Sequence, residues 1–103
     1  MDKQYSVRYL PLFEKDLTAA VNYLAVALQD PVRAEQLVDE VEAAIEKRRE
    51  MPTAFATYPS AKPRKHPYYR INVWNYLVFY VVIGRVMEVR RFLHSKRNID
   101  ELL

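Results

Sequence analysis

Hydrophobic positions change their spacing four times along this chain, and each change marks a boundary. Residues 4–10 alternate, with Tyr5, Val7 and Tyr9 on one side, which predicts a first strand. Pro11 breaks the ladder. From there Phe13, Leu17, Ala20, Val21, Leu24 and Leu28 recur at steps of three and four, the inward face of an amphipathic helix. Asp30-Pro31 restarts it: the carboxylate accepts from free amides as an N-cap, and proline suits the first helical position. A second helix then runs to about Glu50, with Leu37, Val38, Val41, Ala44, Ile45 and Met51 inward. So short a link makes the two an antiparallel helical hairpin.

Four prolines, Pro52, Pro59, Pro63 and Pro67, exclude regular structure from residues 51–67. After them the period becomes two. Tyr69, Ile71 and Val73 alternate with Arg70, Asn72 and Trp74, and "YLVFYVVI" at 76–83 is apolar on both faces, as a central covered strand should be. Gly84-Arg85 suits a two-residue hairpin turn with glycine first. A last strand over residues 86–93 and a short helical or irregular tail complete the order. The expectation is a single α+β domain over residues 1–103: an N-terminal strand, a helical hairpin, then a three-stranded antiparallel sheet packed on the helices.

Composition narrows the chemistry. A chain of 103 residues, 50% hydrophobic, builds one small core. It has no cysteine, which excludes disulfides, zinc fingers and thiolate catalysis. Its single glycine excludes a phosphate-cradling loop. With His66 and His94 as its only histidines, neither a metal nor a cofactor is expected. The first residues lack a signal-peptide layout, and the longest apolar run is too short for a bilayer. A soluble, cytoplasmic protein with no membrane partner is the expectation.

Charge is unevenly distributed. Residues 1–61 carry −3, residues 62–97 carry +8 with Glu88 as their only acid, and residues 98–103 carry −2. Such a field favours an anionic partner, nucleic acid or an acidic protein. Glu40, Glu42, Glu46 and Glu50 read as a solvated helix face, and Lys47-Arg48-Arg49 as cations suited to a helix C-terminus. Tyr68, Tyr69, Trp74, Tyr76, Tyr80 and Phe92 interleave the basic half, where they serve either as sheet packing or as stacking platforms for bases.

Three stretches resemble one family. "YSVRYLPLFEKDLTAAVNYL" at 5–24 looks like an opening strand and a helix with "DL" near its start. "YRINVWNYLVFY" at 69–80 is similar to paired strands in which "YR" leads into "NYxxxY". "FLHSKRNIDELL" at 92–103 looks like a terminal "LHxxRD", with Asn98 at the usual aspartate. Their order and spacing resemble the RelE/ParE superfamily of bacterial type II toxins, found in plasmid-stabilisation and chromosomal toxin–antitoxin systems. The resemblance implies growth inhibition by one of two routes: mRNA interferase activity in the ribosome without a metal, or protein–protein poisoning of DNA gyrase. It also implies an acidic antitoxin partner and a toxin–antitoxin hetero-oligomer.

Metal-free RNA cleavage needs groups that activate the 2′-hydroxyl, stabilise the phosphorane and protonate the leaving oxygen. The positions implied for a RelE-like site fall at Arg70, Asn72, Leu77, near Lys96 and near Leu102. Asn72, Leu77 and Leu102 lack the required chemistry. A nuclease would therefore have to work with His94, Arg70 and Lys96. The ParE-like branch fits better, with Arg70, Arg90, Arg91, His94, Lys96, Arg97, Leu102 and Leu103 as contacts for target or antitoxin. Gyrase is the implied target, the ribosome with its mRNA the alternative one. A degenerate toxin retained as an antitoxin-binding module is a third possibility.

Overall fold

The computed structural model describes residues 4–60 and 62–103; residues 1–3, where the missing signal-peptide layout was read, and Ala61 lie outside them. Strand β1 is Ser6–Tyr9 and helix α1 is Pro11–Asn22, with Leu10 extended between them. The proline does two things at once. It withholds the amide that a longer ladder needs, and its fixed φ starts the helix.

Helix α1 continues into a π turn over Tyr23–Ala27, closed by the Leu28 amide donating to the Tyr23 carbonyl at 3.0 Å. Gln29, at φ 52°, then turns the chain left-handed, and the Asp30 amide reaches back to the Leu24 carbonyl at 2.9 Å. The wider turn rotates the helix face. Leu24 stays buried, but Leu28, expected inward, is 53% exposed.

Helix α2, Pro31–Arg48, begins as its sequence requires: Pro31 opens it, and Asp30 Oδ1 accepts the Arg33 amide at 3.1 Å. Ala34, Leu37, Val41 and Ile45 are buried along it. Met51 lies past its end and is 64% exposed, so it does not share the inward stripe. Among the described residues, 51–67 contain no helix or strand.

Strands β2 (Tyr69–Val73), β3 (Tyr76–Ile83) and β4 (Val86–His94) form the antiparallel meander. The sheet order is β1-β4-β3-β2, because β1 pairs in parallel with β4, Ser6 opposite Val86 and Tyr9 opposite Val89. First and last strands are thus neighbours. The β3–β4 register slips once, between Phe79 and Tyr80, leaving Arg90 as the extra residue of a bulge.

Strand β3 is covered on both sides. Toward the helices, Val78 and Tyr80 pack with Phe13, Leu37, Val41, Ile45, Val89 and Phe92. On the other face Leu77, Phe79 and Val81 pack with Tyr68, Leu93 and Ile99, closed over by Tyr58, Leu102 and Leu103. The proline loop and the short helix α3 (Ile99–Leu102) therefore do for the second face what α1 and α2 do for the first. Tyr80 shows how tightly the first core is finished. Its fully buried hydroxyl donates to the Pro52 carbonyl at 2.7 Å and accepts from Arg48 at 3.0 Å. Burial raises its pKa above the usual phenol value, and the Arg48 hydrogen bond offsets part of that.

Candidate functional site

The candidate cations begin on β4. Glu88 sits opposite Arg8 of β1 in the parallel register and is only 6% exposed. Arg8 donates to its Oε1 at 2.9 and 2.7 Å, and Arg90 to its Oε2 at 2.7 Å. Burial alone would push this carboxyl up, but the two guanidinium groups outweigh it and hold it below the usual carboxylate range. Arg90 is thereby engaged inside the molecule, its guanidinium 5.8 Å from the centre of the Tyr68 ring.

Arg91 is engaged more deeply. Its Nε and one terminal nitrogen grip Asp16 of α1 at 2.8 and 3.2 Å, while the other terminal nitrogen donates to the Leu102 carbonyl at 2.8 Å. Asp16 also accepts the Phe92 amide at 3.0 Å, closing the edge of β4 beyond the end of β1. One arginine thus ties α1, β4 and α3 together. Leu102 and Leu103 are half-buried against the second core rather than held out as anchors. Asp16 and Glu88 were not singled out from the sequence, though Glu88 carried a signal: a lone acid among nine cations, at a strand position.

Arg70, His94 and Lys96 are not brought together. Arg70 pairs with Phe79, whose side chain belongs to the second face, and its guanidinium lies 5.3 Å from the Tyr58 ring. His94 pairs with Tyr76 on the helix-covered face, touching that ring edge-on at 5.4 Å. The sheet separates them. Leu77 sits in the second core between Leu93 and Ile99, so the position that a RelE-like site gives to an arginine is filled by packed hydrocarbon.

His94 lines a cleft of about 390 Å³ with Tyr23, Tyr76, Phe92, Asp16 and Arg97. Its Nδ1 accepts the Lys96 backbone amide at 3.2 Å, which leaves Nε2 for any other contact. Lys96 and Arg97 are exposed on the turn after β4, and no acidic side chain among the described residues pairs with either. The Ser95 amide donates to the Asn75 carbonyl at 2.8 Å, fastening this turn to the β2–β3 turn.

That second turn was not foreseen. Two residues, Trp74 and Asn75, join Val73 to Tyr76, and Trp74 takes φ 53°. Its ring is 39% exposed, with the Arg33 guanidinium 4.4 Å from its centroid. Without a glycine, the stretch gave only an alternation in which Trp74 looked like one more outward strand residue. Among the described residues, no group of three or more His, Asp or Glu side chains is placed to hold a metal ion. No helix among them is long and apolar enough to cross a membrane.

These features define a small α+β domain with cations and aromatic rings at one end and a tail folded over its second sheet face. Residues 7–99 match the family described as ParE toxin of type II toxin–antitoxin system, parDE, and the chain belongs to that family. Its fold is similar to that of a chain in the chromosomal ParDE toxin–antitoxin system of P. aeruginosa. The TM-score is 0.73 at 18% identity, covering 90% of this chain and 98% of that one. A chain of the E. coli DinJ-YafQ toxin-antitoxin complex matches at TM-score 0.55 and 10% identity, covering 89% and 93%. No curated protein matches the chain by sequence.

Proposed function

We propose that this chain inhibits growth by binding a macromolecular target, with DNA gyrase as the target that the ParE resemblance implies. A cognate acidic antitoxin neutralises it in a hetero-oligomer, and both events take place in the cytoplasm. The observation that carries this reading is the state of the second sheet face. Where a RelE-like nuclease would keep charge-stabilising and proton-donating side chains, Leu77 and Leu102 help fill an apolar cluster. Arg70 and His94 leave the sheet on opposite sides. Phosphoryl chemistry needs its acid, base and cation within hydrogen-bond reach of one phosphate. Binding needs only an exposed patch of matching charge and shape.

Within that reading the eight candidate contacts divide by role. Arg70, His94, Lys96 and Arg97 meet the partner and steer its approach. Arg90, Arg91, Leu102 and Leu103 act indirectly, by holding β4 and the tail in the shape that the partner meets.

The test is to induce the chain without an antitoxin in growing cells. Gyrase-linked DNA breaks are expected, and His94→Ala, which removes one contact of several, should weaken them without abolishing them. Prompt mRNA cleavage on ribosomes that disappears in His94→Ala would replace this reading with the endoribonuclease one. Growth unaffected by induction would leave only an antitoxin-binding module.

A further inference from the structure

Trp74 is held in a conformation that does not suit it. The two hairpin turns of the meander are built alike, each with two central residues, and the first of these takes φ 60° at Gly84 and φ 53° at Trp74. Positive φ at that position is glycine's place in such turns. The chain puts its only glycine in one turn and its only tryptophan in the other. A bulky side chain there strains the backbone, and the residue still leaves 39% of its surface exposed. Strain of this kind, kept at an exposed turn, points to use.

The neighbourhood says what use. Arg33 lies over the Trp74 ring at 4.4 Å, and part of the residue stays exposed beside it. Through the Ser95–Asn75 hydrogen bond, the turn sits beside Lys96, Arg97 and the cleft of about 390 Å³ between Tyr23, Tyr76 and His94. Of the carboxylates nearby, Asp16 is paired with Arg91, while Asp30 accepts the Arg33 amide and keeps its charge. Lys96 and Arg97, exposed and in no ion pair among the described residues, thus stand beside an aromatic platform. Unpaired bases stack on such rings, and phosphates follow such cations.

We propose that the Trp74 end of the molecule binds single-stranded nucleic acid, with a base stacked on Trp74, a second base in the His94 cleft, and the backbone on Lys96 and Arg97. The site lies apart from the second sheet face, where a RelE-like nuclease would act, and it does not depend on the gyrase reading. Duplexes bind worse, because their bases are already stacked. The exposed side chains of Val26 and Val32 on the two helices make protein docking the competing use of this end.

Because Trp74 is the only tryptophan, its emission reports directly on the site. The full chain is titrated with oligo(dT), oligo(rU) and a duplex, each about 20 nucleotides long, a span that covers one small single-strand site. Quenching by the single strands is expected, weakening with added salt. By anisotropy of a labelled oligonucleotide, Trp74→Gly should weaken binding roughly tenfold, within the range known for one stacked base, while a cooperative melt shows the variant still folded. Trp74→Phe should recover part of the loss, and Arg97→Ala should flatten the salt dependence. Comparing oligo(dT) with oligo(rU) tells DNA from RNA. Three results overturn the proposal: no binding at about 50 mM salt, where phosphate contacts are strong; equal affinity for duplex; or unchanged affinity in Trp74→Gly. Growth inhibition lost in Trp74→Gly without any nucleic-acid binding would assign this end to a protein partner instead.

Discussion

Single residues in this chain are stabilised or strained by their nearest neighbours, and the effects are measurable one at a time. At Trp74 the left-handed backbone costs about 1–2 kcal/mol, against a cation–π contact with Arg33 worth about 0.5–1 kcal/mol. Trp74→Gly should therefore lower the urea midpoint less than loss of the covered part of the ring alone would, because the relieved backbone offsets part of the loss. At Glu88 the folded carboxyl titrates below its unfolded value. Its contribution is present at neutral pH, starts to fade as acidification reaches the ordinary glutamate value of about 4.3, and is lost once the pH passes below the folded pKa. Glu88→Gln should cost about 2 kcal/mol at pH 7, the scale of hydrogen bonds to a charged group. That gap should close as urea melts are repeated at lower pH. At Tyr80, removing the hydroxyl strands the Pro52 carbonyl and one Arg48 donor, so Tyr80→Phe should cost about 1–2 kcal/mol in the same assay.

Elements follow from sequence where their cause is local, and escape it where the cause is a distant partner. The Asp30-Pro31 start of α2, the Gly84-Arg85 turn and the doubly buried β3 were legible because cap, turn and period lie within a few residues. The π turn was not: its i→i+5 bond is a compromise between helix and core that no single residue type announces. Nor was the partner of β1, which is set by β4 some 80 positions away. The tail shows the same limit. Leu102 and Leu103 read as contacts for target or antitoxin, and nothing in the sequence signalled that Arg91 holds the Leu102 carbonyl or that both side chains pack on the second face. Arg91→Ala leaves Asp16 without its partner in a place where both side chains are 15% exposed. A loss of about 3 kcal/mol is expected for a mostly buried pair. Amide exchange should speed up over residues 99–103 before it does anywhere in β3.

At the scale of the whole molecule, the basic segment does not make one continuous face. Arg90 and Arg91 turn to internal carboxylates, Arg70 and Arg64 lie against Tyr58 and Tyr68 on the second face, and Lys96 and Arg97 stand at the Trp74 end. On the helical side Glu46 pairs with Arg49 at 2.9 Å, an exposed contact that adds little. The segment's +8 therefore overstates what a partner meets. Replacing Lys96 and Arg97 together by alanine should slow association with an acidic antitoxin several-fold at low ionic strength and hardly at all near 1 M salt, in stopped-flow mixing.

The parallel pairing of β1 with β4 also has a temporal side. While the polypeptide leaves the ribosome, the opening strand has nothing to lie against, and Arg8 has no carboxylate to meet, until the closing strand emerges. Contacts between such remote positions form late and slowly. The sheet of a newborn copy thus stays open at β1 until β4 has been made, and the ion pair of Arg8 with Glu88 waits for the same event.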